Sequence, residues 1–358
     1  MAVDRHGWQG GIGGTGQPAM EDFTVAQRLR KRTFLGNVAV ALYRSRRAPR
    51  RALSSFLAAH RDRRRSPLPP RSSRRVYRAV YVIPTGPHDW KGLREALDSI
   101  RHYEGDDAKT VIIDDATVDC RERVVRNEFP DVDVLRLRWP NTGPPRNFPA
   151  IARALRHAVE RYDFEVLGKI DTDALLTAPE PSAMAAALFR ERPRVGMIGT
   201  HLVRADGEPE DYSFDTWAIP HSIRWSPAMR KMVTRARANG YSGVRVNGIY
   251  FLSRDMLDAA NRNGDLAWRP PWWTQLGEDF WVSMLTLANG FGFASIGGPD
   301  EQIVVAPNFL PLPKEQVLAE GKLIMHSSRR GLEGEDEDEL LRFFRESRER
   351  DQSARDAS

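Results

Sequence analysis

From residue 76 onward, short apolar runs alternate with segments whose apolar residues recur every three or four positions. Four of these runs, typical of buried strands, stand at 79–83, 111–113, 132–137 and 164–170. The periodic segments predict helices, one with Leu93, Leu97 and Ile100 on its apolar face and one with Phe148, Ile151, Leu155 and Val159. Further along, the pattern predicts a strand at 244–252, a helix at 278–288 and a strand at 291–296. Strands that alternate with helices predict an α/β fold, a three-layer α/β/α sandwich with a mostly parallel central sheet.

The two ends of the chain differ in composition from this α/β region. Residues 1–75 begin with many glycines and end in Ser66-Pro-Leu-Pro-Pro, which predicts a helical or partly disordered arm and linker. Residues 331–358 are highly charged and predict a terminal helix or a frayed tail. We therefore expect three regions: the arm, a folded domain at 76–330 and the charged C-terminal tail.

The overall composition is that of an ordinary folded protein, and it excludes several classes. Of the 358 residues, 41% are hydrophobic and 28% are charged. With Cys120 as the one cysteine, neither an internal disulfide nor a cysteine zinc cluster is expected, and a reducing compartment fits. The longest apolar candidate, 34–43, falls well short of the roughly 18 residues that a membrane-spanning helix needs. We expect neither such a helix nor a signal peptide.

The positive charge of the chain is concentrated in the arm. Residues 1–75 hold 17 Lys and Arg against 4 Asp and Glu, a net charge of +13, whereas the remainder has a net charge of −7. An acidic folded region argues against nucleic acid as a partner. Basic residues interspersed with apolar ones would suit an anionic membrane surface, although a solvated arm fits the same pattern. The expected location is the cytoplasm, and a membrane-binding arm would place the protein peripherally at the inner face of the membrane.

Acidic residues follow two of the predicted strands, at the edge where parallel sheets bind their ligands. Asp171-Thr-Asp173 comes directly after the run at 164–170, and strand alternation would put both carboxylates on one side. One or two carboxylates in this arrangement suit a divalent cation that also holds diphosphate oxygens, although aspartate is common at strand ends and caps. Asp114-Asp115 follows the run at 111–113 and would accept hydrogen bonds from a nucleotide, or cap a helix.

Three further features are candidates for chemistry. Glu278 and Asp279 open a predicted helix, where acids either stabilise the helix end or serve as a general base. Trp272 and Trp273 come just before them and would stack on a sugar acceptor, although core packing is the commoner role of tryptophan. His326, in Leu323-Ile-Met-His-Ser-Ser-Arg, is the third, although an ordinary core or surface histidine fits the same position.

Six motifs in order resemble the family-two glycosyltransferases, which have the GT-A fold. They are Val82-Ile-Pro-Thr85, Ile113-Asp-Asp-Ala-Thr, Asn141-Thr-Gly-Pro-Pro-Arg-Asn, Ile170-Asp-Thr-Asp, Asn247-Gly-Ile-Tyr-Phe-Leu-Ser-Arg, and Glu278-Asp279 followed by Ala288-Asn-Gly-Phe. The resemblance covers residues 77–299 and makes 76–330 the expected catalytic domain. It implies transfer of a sugar from a nucleotide diphosphate, with a UDP-sugar as the expected donor, to a hydroxyl acceptor such as a glycan or a lipid-linked sugar.

The resemblance also implies a role for each matching residue. Thr85 and Asp115 would contact the nucleotide, and Arg146 would lie near the base or the diphosphate. Asp279 would be the general base of an inverting reaction. The metal, Mn²⁺ or Mg²⁺, would be held by Asp171 and Asp173, and several GT-A enzymes use a late histidine, here His326, as a third ligand.

Departures from the family pattern leave the donor open, and two other functions compete. The family often has a further acid where this chain has Ala174, and small polar residues where it has Ala116-Thr117. A sugar-phosphate nucleotidyltransferase would share the sheet and the metal but would normally have a glycine-rich basic loop after the first strand. A non-catalytic nucleotide- or carbohydrate-binding domain would not need the three aspartates. A Rossmann dehydrogenase is excluded, because the turn after the first strand, Pro84-Thr-Gly-Pro-His-Asp, lacks the Gly-x-Gly-x-x-Gly pattern.

Overall fold

The predicted runs correspond to six of the seven strands of one large sheet, and the seventh, Val195–His201, was not predicted from the sequence. A computed structural model describes residues 75–85, 90–114, 125, 127–136, 147–201, 227–241, 246–266, 277–296, 301–305 and 309–357. Its strands are β1 (Val76–Thr85), β2 (Ala108–Asp114), β3 (Asp133–Arg136), β4 (Asp163–Lys169), β5 (Ala174–Leu176), β6 (Val195–His201), β7 (Val246–Ser253), β8 (Gly292–Ser295), β9 (Ile303–Val305) and β10 (Ile324–His326). Its helices are α1 (Trp90–Glu104), α2 (Asn147–Arg161), α3 (Pro181–Glu191), α4 (Pro227–Ala238), α5 (Arg254–Arg262), α6 (Glu278–Ala288), α7 (Lys314–Ala319) and α8 (Glu337–Asp356).

The strand order of the large sheet is β3-β2-β1-β4-β7-β6-β8. Strand β7 runs antiparallel to both of its neighbours, and every other adjacent pair is parallel. The predicted α/β fold with a mostly parallel central sheet is therefore confirmed. The parallel strands β1, β2 and β4 end at one edge, where Thr85 pairs with Asp114 and where the Asp171-Thr-Asp173 segment begins.

Helices cover both faces of this sheet, as the near-continuous apolar strands require. On one face, α2, α4, α5 and α6 pack with residues such as Leu155, Met232 and Trp281. On the other face, α1, α3 and α8 pack with residues such as Leu93 and Phe344. The three layers predicted from the alternating pattern are thus observed.

A second, three-stranded sheet has the order β5-β10-β9 and was not predicted from the sequence. Strand β10 runs antiparallel to β5 and parallel to β9, and its register places His326 opposite Ala174. Its strands are only three residues long. Such short strands are too brief for an alternating pattern to stand out.

The charged C-terminal segment contains a twenty-residue helix, α8. Its start carries a capping box, in which Asp336 accepts from the amide of Glu339 and the Glu339 carboxylate accepts from the amide of Asp336. Leu340, Leu341 and Phe344 are buried in the core that includes α1. The helix is further tied to α1 by ion pairs of its arginines with the buried carboxylate of Glu95.

None of the helices in the described part of the chain is long and apolar enough to span a membrane. The basic arm, including the apolar candidate at 34–43, lies outside the described residues.

The packing of α8 predicts that this helix contributes to the stability of the domain. Replacing Phe344, which is 2% exposed, with alanine should lower the free energy of unfolding by about 3–5 kcal/mol, because it removes a buried aromatic ring. Urea unfolding followed by circular dichroism measures this change. The matched control is Arg342→Ala on the exposed side of the same helix, which should unfold close to wild type. Equal midpoints for Phe344→Ala and wild type would contradict the prediction.

Candidate functional site

The two carboxylates of Asp171 and Asp173 come together in a turn between β4 and β5. The amide of Ile170 donates to Val82 of β1 at 3.2 Å, which keeps the chain aligned with the sheet up to this point. The amide of Ala174 then donates to the carbonyl of Asp171 at 3.2 Å and closes the turn. Strand β4 ends at Lys169, so the strand alternation expected from the sequence is not what groups the two side chains.

The imidazole of His326 completes a cluster with these carboxylates. Its Nε2 lies 3.3 Å from Oδ1 of Asp173 and 3.7 Å from Oδ2 of Asp171. One ligand atom of each residue lies within 4.8 Å of the others, and no second group of this kind occurs among the described residues. The antiparallel pairing of β10 with β5 brings the three together, because it sets His326 beside the end of the turn. The structure thus places His326 with the two aspartates.

In each carboxylate, one oxygen is bonded to neighbouring side chains and the other faces His326. Oδ2 of Asp173 accepts from Ser327 Oγ at 2.8 Å and is paired with Nε of Arg329 at 2.7 Å. Oδ1 of Asp171 accepts from the Lys169 ammonium at 2.7 Å. The oxygens nearest to the imidazole are therefore Oδ1 of Asp173 and Oδ2 of Asp171. Two carboxylate oxygens and one imidazole nitrogen that converge in this way suit a divalent cation such as Mn²⁺ or Mg²⁺.

The charges around Asp173 favour its ionised form. Burial acts to raise the pKa of Asp173, but hydrogen bonds and charges from His326, Arg329 and Ser327 outweigh it and hold that pKa well below its usual range. For His326, burial acts to lower the pKa, and Asp173 and Asp171 outweigh it, so the pKa is raised. The two aspartates therefore favour a positive charge at the position of the ring. A bound cation would supply that positive charge in place of a proton on the ring.

Gly248 in β7 closes one side of the cluster. Its φ of +52° lies in the left-handed region that glycine adopts without strain. A Cβ atom at this position would lie 3.2 Å from Oδ2 of Asp171 and 3.3 Å from Cε1 of His326. Because Gly248 has no side chain, the side chains of Asp171 and His326 have room to approach each other.

The other part of the site is the first turn of α6, which is connected to the cluster through Lys169. Glu278 is buried, and its Oε1 lies 3.0 Å from the Lys169 Nζ and accepts from the Tyr250 hydroxyl at 2.9 Å. Burial raises the pKa of Glu278 to about 7 against the opposing charge of Lys169, and Asp279 and Asp171 add to the rise. Asp279, the next residue of the helix, is half-buried. The two neighbouring acids therefore have different surroundings.

The remaining predicted site residues are only partly covered by the structure. Thr85 is buried at the end of β1, next to Asp114 of β2, on the edge that the sequence analysis assigned to the nucleotide. Four other candidates lie outside the described residues, and their roles stay predictions: Asp115, Arg146, Trp272 and Trp273.

Several residues of the site were not predicted from the sequence. They are Lys169, Gly248, Tyr250, Ser327 and Arg329. Lys169 carried a usable signal, because a lysine inside an apolar strand is almost never buried without a partner. Gly248 and Tyr250 lie in the Asn247-Gly-Ile-Tyr-Phe-Leu-Ser-Arg motif, which marked the segment without giving either residue a role. Ser327 and Arg329 carried no such signal, since serine and arginine are ordinary in loops.

No protein-family model and no curated protein matches this sequence. Among solved structures, the mannosyltransferase PcManGT from Pyrobaculum calidifontis, in complex with GDP-Man and Mn²⁺, is 20% identical, with a TM-score of 0.36 and coverage of 73% of this chain and 66% of that one. S. aureus TarS 1–349 is 15% identical, with a TM-score of 0.39 and coverage of 70% and 60%. The same TarS region in complex with UDP-GlcNAc is 16% identical, with a TM-score of 0.36 and coverage of 61% and 58%.

This chain spans at most 66% of the length of these three matched chains. At such identities and TM-scores, the likeness adds no argument about the activity of this chain. Its function has to be inferred from its own residues and geometry.

The position of Gly248 yields a prediction about metal binding. Gly248→Ala should weaken Mn²⁺ binding by on the order of tenfold, because the new methyl group would crowd Asp171 and His326. Titration of Mn²⁺ followed by electron paramagnetic resonance measures the affinity.

The matched control for this substitution is Gly105→Ala. Gly105 has a similar φ of +59°, and a Cβ atom there would meet nothing within 4 Å. Both variants should lose stability through backbone strain, but Gly105→Ala should keep the Mn²⁺ affinity of wild type. The same affinity in both variants would show that Gly248 does not border the metal site.

Proposed function

We propose that the protein is a metal-dependent glycosyltransferase that uses a nucleotide-diphosphate sugar and inverts the anomeric centre. The observation that carries the proposal is the joining of two groups at the ligand edge of the sheet. One is the Asp171, Asp173 and His326 cluster, and the other is the acidic first turn of α6. Lys169 contacts both of them. The six motifs that resemble family-two glycosyltransferases with the GT-A fold support the same assignment.

In this proposal the cluster holds the cation and α6 provides the base. Asp171, Asp173 and His326 would bind Mn²⁺ or Mg²⁺, which when present neutralises charge on the leaving diphosphate. Thr85 and Asp114 lie at the ends of the neighbouring strands β1 and β2, where the nucleotide would bind. The expected acceptor is a hydroxyl of a glycan or a lipid-linked sugar.

Asp279 is the residue to which we assign the base. The carboxylate of Glu278 is buried and engaged by Lys169 and Tyr250, whereas Asp279 is half-buried. Asp279 would take the proton of the acceptor hydroxyl while the hydroxyl oxygen forms a bond to the anomeric carbon. The bond from that carbon to the diphosphate oxygen breaks on the opposite face, and the nucleoside diphosphate leaves.

The cluster predicts that nucleotide binding depends on metal and on Asp173. In a thermal-shift screen, UDP, GDP and their sugars should raise the melting temperature of wild type in the presence of Mn²⁺, with the UDP series as the expected ligands. Asp173→Ala should lose this Mn²⁺-dependent shift, because it removes the buried oxygen that faces the cluster.

The control in the same screen is Asp131→Ala, an exposed aspartate that pairs with Arg101 away from the cluster. It should behave like wild type.

The product of the reaction separates the two enzyme classes, because a glycosyltransferase releases nucleoside diphosphate and a nucleotidyltransferase releases pyrophosphate. A nucleotide shift that is equally large in Asp173→Ala and in the presence of EDTA would refute metal dependence.

The assignment of the base predicts a loss of turnover without a loss of donor binding. Asp279→Asn should lower kcat by about 10²–10⁴-fold, the usual contribution of a general base. Hydrolysis of the donor found in the screen measures kcat, and the thermal shift measures donor binding. Asp255→Asn is the matched control, because Asp255 is also the second residue of a helix, α5. Retention of anomeric configuration in the product would exclude this mechanism.

A further inference from the structure

The ammonium of Lys169 has three oxygen partners although its side chain is only 2% exposed. It donates to Oδ1 of Asp171 at 2.7 Å and to the carbonyl of Gly248 at 2.8 Å, and lies 3.0 Å from Oε1 of Glu278. An ammonium group has three N–H donors, so these three oxygens account for all of them. The group is therefore fully engaged within the protein.

The three oxygens belong to three different parts of the fold. Asp171 lies in the turn after β4, Gly248 in the antiparallel strand β7, and Glu278 at the start of α6. Lys169 itself is the last residue of β4. The buried ammonium of Lys169 thus connects the cluster that contains Asp171 to the helix that carries Asp279.

The contact with Asp171 decides which oxygen of that carboxylate is turned toward the cluster. Oδ1 is held by the ammonium, and Oδ2 lies 3.7 Å from Nε2 of His326. Partners of this kind orient metal ligands, and their removal typically weakens metal affinity by 10- to 100-fold.

The contact with Glu278 fixes the first turn of α6. Oε1 of Glu278 is shared between the Lys169 ammonium and the Tyr250 hydroxyl, so the side chain has little freedom. Asp279 follows directly on the same turn, and the cap residue of α6, Gly277, has no side chain that could bond to the first amides of the helix. The Lys169 contact therefore takes part in holding the helix end in place.

We propose that Lys169 is a positioning residue that orients the metal-facing oxygen of Asp171 and ties it to the first turn of α6. The part of this inference that concerns Asp279 rests on the proposed function. The part that concerns Asp171 requires only that the cluster binds a divalent cation.

If Lys169 had a purely structural role, its removal would change the stability of the protein but not its affinity for Mn²⁺. A pair of variants distinguishes this role from a positioning role. Removing one partner of a buried ion pair is destabilising because it leaves the other charge uncompensated, whereas replacing both partners is often close to neutral. Lys169→Met should therefore be unstable. Lys169→Met combined with Glu278→Gln should recover much of that stability, because the buried carboxylate of Glu278 is then also removed.

The experiment measures urea unfolding and Mn²⁺ affinity of the full chain, using Mn²⁺ alone and electron paramagnetic resonance. Both variants that lack Lys169 should bind Mn²⁺ 10- to 100-fold more weakly than wild type. Glu278→Gln alone, which keeps the Lys169 contact with Asp171, should keep the wild-type affinity. At saturating Mn²⁺ and donor, kcat of the double variant should remain below that of Glu278→Gln.

Wild-type Mn²⁺ affinity in the stable double variant would overturn the proposal, since Lys169 would then only neutralise Glu278. Absence of Mn²⁺ binding by the wild-type chain would overturn it as well. Because the Mn²⁺ titration uses neither donor nor acceptor, it stays informative if the protein transfers no sugar. Failure of the glycosyltransferase assignment is thus separable from failure of this inference.

Discussion

The antiparallel pairing of β5 with β10 is the constraint on which the candidate site depends. This pairing sets His326 opposite Ala174, directly after the turn that holds Asp171 and Asp173. The neighbouring Ser327 donates to the carboxylate of Asp173, although 154 positions separate the two residues. The amide of Ser328 also donates to the carbonyl of Asp173, at 2.8 Å, so backbone and side-chain bonds fix the same geometry. The small sheet thereby turns two neighbouring aspartates into a three-residue site.

Charge balance is the second condition for such a site. Asp173 and Glu278 are buried, Asp171 is half-buried, and Lys169 and Arg329 supply the opposing positive groups. Buried charges are tolerated when they are paired and hydrogen-bonded, since desolvation otherwise costs several kcal/mol per ion. Each positive group bonds to an oxygen of one of these acids, and each therefore also limits how that acid can turn. The interactions that make burial of the acids possible are the same ones that orient them.

The sequence predicted six of the seven strands of the large sheet, because these strands contain apolar runs and most of them alternate with periodic helices, but it missed β6, whose apolar residues are interrupted by two glycines. The predicted helix at 278–288 has those bounds in α6, and the run at 164–170 corresponds to β4. The small sheet could not be found in this way, because its three-residue strands carry too few positions for a pattern. For the same reason, the strand pattern did not bring His326 to Asp173, and only the family resemblance grouped the two residues. The terminal helix α8 was one of two expectations for a charged segment, and its buried Phe344 and capping box explain why a helix forms there.

The two acids at the start of α6 show how neighbouring residues of one helix come to lie in different surroundings. Successive side chains on a helix point about 100° apart, so Glu278 and Asp279 cannot face the same surroundings. Glu278 faces the protein interior, where Lys169 and Tyr250 hold it. Asp279, the next residue, is half-buried and keeps part of its surface in contact with solvent. The two adjacent acids therefore lie in different surroundings, and Glu278 is the one that links the start of α6 to Lys169 and Tyr250.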